Sequence, residues 1–259
     1  MKKIVAIIAA VVIIGGGGFF FWNQSKAKTT DPITLNYSAA ASLKDALAEI
    51  ETNYEKEHPN VDLAIDYGGS GAVREKVVSG APIDGVLLAS KADTDKLVAA
   101  DAVTDEKKLL TNTLVLVKNA KSDIQKADLA DVLAAAKKIA IGNPETVPAG
   151  QYAQDSLKNA QLYDQVKDKL VLASDVRQVL AYVEAGNADV GFVYQTDALT
   201  TDKVEILQAV PDDLHEPILY YTATVKASKQ PAAVAAFNDY LTAADSQKVL
   251  EDYGFSMAE

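Results

Sequence analysis

"YSAAASLKDAL", residues Tyr37 to Leu47, joins a strand pattern to a helical pattern with almost nothing between them. The run "ITLNY" before it is apolar and short, and after Ser42 apolar residues recur at the 3.6-residue spacing of a helix. A second corner, "AIDYGGSGAVREKV" from Ala64 to Val77, repeats the design around Ser70. Strands that alternate with helices in this way predict an α/β fold with a mainly parallel sheet flanked by helices.

The pattern divides the body of the chain into two α/β lobes. A long strand at Leu109–Lys118 interrupts the first alternation, a second set of strands and helices follows, and another long strand at Glu216–Lys226 precedes the final helices. Two long connections predict a cleft between the lobes. The predicted boundaries are an N-terminal segment at 1–30, lobe I at 31–112 and 221–259, and lobe II at 113–220.

The first segment has the composition of an export signal or a membrane anchor. Lys2 and Lys3 precede an uncharged run from Ile4 to Trp22, which as a helix would be about 28 Å long, close to the hydrocarbon thickness of a bilayer. The sequence contains no cysteine, so neither a lipid on cysteine nor a disulfide is expected. We expect an exported protein at the extracytoplasmic face of the membrane, anchored by or released after residues 1–27.

Four strand-to-helix corners and one tyrosine form the candidate ligand site. The corners lie at Ser42, Ser70, Ala149 and Val176, and Tyr194 ends the strand pattern "GFVY". Corners of this kind meet at the carboxyl edge of a parallel sheet, where ligands bind. Each helix start offers unpaired N–H groups and about half a positive charge, so converging starts form an anion site without lysine or arginine. The alternative is that the serines are ordinary helix caps and the tyrosine a core residue.

In their order and spacing, six motifs resemble the molybdate-binding proteins of ABC transporters, which are type II periplasmic binding proteins. The motifs are "AAASLKDAL", "GGSGAVREKVVSGAPID", "NPETVPAGQYAQDSL", "SDVRQVLAYVEAGNADVGFVYQTDA", "HEPILYYTATVK" and the ending "YGF". The resemblance implies a two-lobed fold with the ligand in the cleft between lobes. It also implies an oxyanion held by hydroxyl and amide groups, with molybdenum bound only in that form, at Ser42, Ser70, Ala149, Val176 and Tyr194.

The same resemblance implies a monomeric binding protein, not an enzyme, that captures molybdate or tungstate and delivers it to an ABC transporter permease. It implies no cofactor besides the ligand. A site made of donors alone suits a fully deprotonated tetrahedral dianion and disfavours hydrogen phosphate, whose proton needs an acceptor. The residues themselves leave sulfate open as an alternative ligand. A net charge of −11 disfavours nucleic acid as a partner.

Two other kinds of site are compatible with short stretches of the sequence. "GGSGA" comes within one residue of the nucleophile elbow of serine hydrolases, with Ser70 as the nucleophile and His215 as the base. The loop "PDDLHEP" offers a small acidic and histidine cluster that could hold a metal, although its spacing matches no known motif. The two arginines, Arg74 and Arg177, lie inside helical patterns and are expected to form salt bridges or the rim of the site.

Overall fold

The computed structural model describes residues 32–258, and the predicted signal or anchor segment lies outside them. Within the described range no helix is both long enough and apolar enough to cross a bilayer. The strands in chain order are β1 (Ile33–Ala40), β2 (Val61–Gly68), β3 (Gly85–Leu88), β4 (Val103–Thr111), β5 (Leu114–Asn119), β6 (Ile139–Gly142), β7 (Leu170–Ala173), β8 (Val190–Tyr194), β9 (Val204–Ala209), β10 (Leu219–Val225) and β11 (Ser256–Met257).

Helices cover both faces of the sheets that these strands form. A 3-10 turn at Ala41–Leu43 links β1 to the first helix. The α-helices are α1 (Lys44–Glu57), α2 (Ser70–Val78), α3 (Lys91–Ala99), α4 (Leu129–Ala135), α5 (Pro148–Asn159), α6 (Tyr163–Val166), α7 (Val176–Glu184), α8 (Gln195–Ala198), α9 (Pro231–Tyr240) and α10 (Ala244–Asp252).

The strands form two sheets, and each sheet is the centre of one lobe. Lobe I contains the order β11-β4-β10-β3-β1-β2, and lobe II contains β7-β6-β8-β5-β9. Strand β1 pairs in parallel with β2 and β3, and β6 pairs in parallel with β7 and β8. The remaining pairings, through β4, β10 and β11 in lobe I and β5 and β9 in lobe II, are antiparallel. The sheets are therefore mixed, and the expectation of mainly parallel sheets holds only for the strands that lead into the site.

The chain passes between the two sheets twice. The strand predicted at Leu109–Lys118 is in fact two strands in different sheets, since β4 ends at Thr111 and β5 begins at Leu114. The return passage lies between β9 and β10, near Glu216. Strand β9 was not predicted, although the alternation of Val204 and Ile206 with polar residues was a usable signal.

The first helix illustrates how the local pattern determines packing. The predicted apolar face of α1 is buried, with Ala46, Leu47, Ile50 and Tyr54 all in the core of lobe I. The helix ends at Glu57, just before His58 and a proline that cannot continue it. This packing fixes the corner between β1 and α1 at the carboxyl edge of the sheet.

Candidate functional site

One small cavity between the lobes brings together all five residues singled out from the sequence. Its volume is only about 10 Å³. Lobe I contributes Ser42 and Ser70, and lobe II contributes Ala149, Val176 and Tyr194. Each lies where a strand of the parallel part of a sheet gives way to a helix. That these residues bind a ligand stays a prediction, but their convergence is a property of the fold.

The backbone of this cavity is rich in donors because several helices begin at its wall. Ser70 and Val176 are the first residues of α2 and α7, and Ala149 is the second residue of α5, after Pro148. The first N–H groups of a helix have no carbonyl partner within that helix. Each helix start also carries about half a positive charge. The cavity wall is therefore electropositive although none of the described residues lining it has a charged side chain.

Ser42 is not a helix cap. The sequence left open that Ser42 is an ordinary helix cap, but the residues around Ser42 form a 3-10 turn without a side-chain cap. The Ser42 hydroxyl, which is 3% exposed, instead lies 2.8 Å from the hydroxyl of Tyr220 on β10. The capping prediction was wrong because the partner of this hydroxyl is remote in sequence.

Ser70 has a similar arrangement. The residue that caps α2 is Gly69, and the Ser70 side chain makes no cap bond. Its Oγ accepts a hydrogen bond of 2.9 Å from the backbone N–H of Ala89, at the end of β3. Since the oxygen is already an acceptor, the hydroxyl hydrogen remains available to donate into the cavity.

Tyr194 supplies a buried hydroxyl without a partner. Its side chain is 2% exposed, and among residues 32–258 no group forms a hydrogen bond with its hydroxyl. Burial holds the pKa of Tyr194 well above its usual range, so the hydroxyl keeps its proton and can donate. Leaving a buried polar group unpaired costs about 1–3 kcal/mol, so an unpaired hydroxyl in the wall of a cavity is a candidate donor to a ligand there.

The lobes touch directly beside the cavity. The N–H of Gly71 in α2 donates a 3.0 Å hydrogen bond to the carbonyl of Thr146 in lobe II. Only glycine allows this approach, because a Cβ at Gly71 would lie 2.8 Å from Thr146 Cα, and a Cβ at Gly69 would lie 2.5 Å from the Thr146 carbonyl oxygen. The structure thus represents the closed arrangement of the lobes.

An arginine also bridges the lobes near Val176. The guanidinium of Arg177 in α7 forms a salt bridge with Asp45 of lobe I, and its Nε lies 2.8 Å from Oδ1 of buried Asp197. Burial raises the pKa of Asp197 to about 7, although Arg177 and the Tyr194 N–H oppose the shift. Arg74 pairs with Asp93 at 2.8 Å. Both arginines are therefore salt-bridge partners, as expected from the sequence, and the charge of Arg177 is largely compensated.

The structure does not assemble the two rival sites. His215 Nδ1 lies 2.8 Å from the carbonyl oxygen of Glu216, and its ring packs on Tyr152, while Ser70 bonds to the Ala89 N–H. A hydrolase would need the histidine ring within hydrogen-bond distance of the serine hydroxyl. Within residues 32–258 no group of three or more acidic or histidine side chains is placed to hold a metal ion.

Sequence reasoning missed the residues that support the site from behind. Tyr220 and Asn112, which form a hydrogen-bonded network behind Ser42, were not singled out, and neither was Thr146. The only signal was positional, since Asn112 interrupts a long apolar strand pattern and Tyr220 lies in the other long strand. The glycines on either side of Ser70, Gly69 and Gly71, were not singled out either, and the structure shows that they permit contact between the lobes.

Comparison with known proteins agrees with this architecture. The family model of bacterial extracellular solute-binding proteins matches residues 35–256. The chain is 42% identical over 236 residues, 90% of each sequence, to a Bacillus subtilis protein provisionally named the ABC transporter substrate-binding lipoprotein YvgL. It is 37% identical to the molybdate-binding protein ModA of Haemophilus influenzae, over 84% of this chain and 88% of ModA.

A solved structure supports the fold independently. The periplasmic molybdate-binding protein of Azotobacter vinelandii superimposes with a TM-score of 0.78 over 87% of this chain and 100% of that one. At 22% identity this similarity concerns the fold alone. It confirms the predicted two-lobed α/β architecture.

Proposed function

The chain belongs to the bacterial extracellular solute-binding proteins, and from this premise we propose that it captures molybdate, and also tungstate, in the cavity between its lobes. A solute-binding protein is not an enzyme, which agrees with the prediction from sequence. The relatives named above include a molybdate-binding protein, and the donor set of the cavity suits the same ligand. No cofactor is needed besides the ligand itself.

One observation carries the proposal: the buried Tyr194 hydroxyl points to a missing acceptor. The hydroxyl has no partner among the described residues, and it lines the same cavity as Ser42, Ser70 and the helix starts at Ala149 and Val176. An anion in this cavity would accept from all of them at once. Hydrogen bonds to charged groups contribute about 1.5–3 kcal/mol each, net of the exchange with water, so five such donors favour binding of a dianion.

The chemistry of the donors favours an oxyanion that carries no proton. The hydroxyl and backbone N–H groups of the wall supply donors, and the lining as described offers no carboxylate to accept a proton from the ligand. Molybdate and tungstate are fully deprotonated dianions at neutral pH, whereas phosphate retains a proton. Sulfate has the same charge and shape as molybdate but is smaller, so it remains the second candidate.

The biological setting follows from the family and the relatives. A solute-binding protein acts outside the cytoplasm, and the relative in Bacillus subtilis is named as a component of an ABC transporter. We therefore infer that the loaded, closed form acts as a monomer, held near the membrane by the N-terminal segment or released from it. It would deliver the oxyanion to an ABC transporter permease.

Calorimetric titration of the full-length chain in mild detergent tests the proposal. Molybdate, tungstate, sulfate and phosphate are titrated separately against wild type, Ser42→Ala, Ser70→Ala and Ser79→Ala. The last is a matched control, because Ser79 is exposed at the end of α2. We expect tight binding of molybdate and tungstate, weakened about 10- to 150-fold by loss of either cavity serine and unchanged in the control. Preference for sulfate, or no binding of any anion, would contradict the proposal.

A further inference from the structure

A chain of hydrogen bonds runs from the connection between the lobes to the cavity. The Asn112 side-chain amide, between β4 and β5, donates to Thr196 Oγ1 at 2.8 Å and to the Tyr220 hydroxyl at 3.1 Å. The Tyr220 hydroxyl lies 2.8 Å from Ser42 Oγ. Tyr220 is fully buried, so no water competes for these bonds.

The direction of the chain is set at its far end. The backbone N–H of Thr113 donates at 2.8 Å to Asn112 Oδ1, which fixes the amide so that its nitrogen faces Tyr220 and Thr196. The Tyr220 oxygen then accepts from Asn112, and its own hydrogen has Ser42 Oγ as its acceptor. Burial holds the pKa of Tyr220 above its usual range, so this hydrogen stays in place.

The consequence concerns Ser42. If its oxygen accepts from Tyr220, its own hydrogen is left to point into the cavity and can donate there. The opposite direction would leave the Tyr220 hydrogen buried without a partner, at a cost of about 1–3 kcal/mol. The hydrogen bonds within such a chain also polarise one another, so each bond strengthens the next.

We propose that Asn112 and Tyr220 are positioning residues that commit the Ser42 hydroxyl to donate to the bound oxyanion. This inference rests on the proposed function. Neither residue lines the cavity, so both act on the ligand through Ser42. The discrimination against protonated anions is therefore built into a network behind the site as well as into the cavity wall.

A thermodynamic cycle tests this proposal. Molybdate affinity is measured by calorimetry for wild type, Tyr220→Phe, Ser42→Ala and the double variant in the full-length chain. Tyr221→Phe is the matched control, since Tyr221 is the next residue of β10 and faces the other side of the sheet. We expect Tyr220→Phe to weaken binding about tenfold in the wild-type background and less than about twofold when Ser42 is already alanine.

A purely structural role predicts a different result. If Tyr220 only stabilises the fold, its loss weakens binding equally in both backgrounds, and that outcome would overturn the inference. Asn112→Ala provides a second cycle with Ser42→Ala, with the same expected pattern, in case Tyr220→Phe does not fold. Wild-type protein that binds no molybdate would refute the proposed function and this inference together, whereas binding with additive losses would refute only the inference.

Discussion

The contact between Gly71 and Thr146 makes closure of the lobes sensitive to a single methyl group. In Gly71→Ala the new Cβ would lie 2.8 Å from Thr146 Cα and 3.0 Å from its carbonyl oxygen, whereas carbon atoms in contact prefer about 3.5–4.0 Å. The obstacle is backbone, which cannot rotate away. The lobes must therefore stay apart by about 1 Å at this point.

The size of the effect follows from the bonds at this contact. Separation breaks the 3.0 Å hydrogen bond from the Gly71 N–H to the Thr146 carbonyl, a loss of about 0.5–1.5 kcal/mol. Forcing closure against the overlap costs about 1–3 kcal/mol more. We therefore expect the closed, ligand-bound form to lose about 1.5–4.5 kcal/mol, which weakens molybdate binding about 10- to 1,600-fold.

Three measurements distinguish an effect of Gly71→Ala on closure of the lobes from an effect on folding. Calorimetry gives the affinity, small-angle scattering gives the compaction on adding molybdate, and thermal unfolding gives the stability without ligand. The last should be unchanged or raised, because alanine is about 0.5–1 kcal/mol better than glycine in a helix. Val78→Ala is the control, since Val78 is exposed on the same helix. Wild-type affinity and full compaction in Gly71→Ala would refute the reasoning.

Three further predictions concern Tyr194, Asp197 and Val176. Tyr194→Phe should weaken molybdate binding about tenfold by calorimetry while leaving ligand-free thermal unfolding unchanged or improved, because the hydroxyl has no partner to lose within residues 32–258. Burial raises the pKa of Asp197 to about 7, so its protonated form stabilises the folded state at low pH and this stability is lost as pH rises from about 4 to 7. The free energy of unfolding of wild type should thus fall more steeply over that pH range than that of Asp197→Asn. Parallel pH profiles for the two proteins would contradict the raised pKa of Asp197. Val176→Pro should weaken binding at least tenfold, because proline suits the first position of α7 but has no N–H to donate, whereas Val176→Ala should bind within about threefold of wild type.

Local patterns were sufficient to predict the corners of the fold. The apolar face of α1 and the starts of α2 and α7 follow from periodicity and from small residues at the strand ends, which are interactions between near neighbours. Strand β4 was predicted too short because charged residues occupy its middle, from Asp105 to Lys108. That stretch is exposed, so its pairing with β10 is stabilised by the backbone and leaves little trace in the side chains.

The roles of individual side chains were harder to predict because their partners are remote. Ser42 has the local signature of a helix cap, yet its hydroxyl bonds to Tyr220 on a strand 178 residues away. Arg177 was expected to form a salt bridge, but only the fold shows that its partner is Asp45, in the other lobe. Local sequence therefore locates the cavity wall, whereas the network that orients its donors depends on tertiary contacts.

A negatively charged protein can bind a dianion because distant and local electrostatics differ in strength. The net charge is −11, but a surface carboxylate about 20 Å from the cavity repels a dianion by only about 0.4 kcal/mol in water. Screening at physiological salt reduces this further, since the distance exceeds the Debye length of about 8 Å. A single buried donor to a charged group contributes about 1.5–3 kcal/mol at contact, so a few such donors outweigh the whole surface. Selection among anions then depends on the number and direction of the donors in the cavity. For this reason the orientation of the Ser42 hydroxyl matters more than the net charge of the chain.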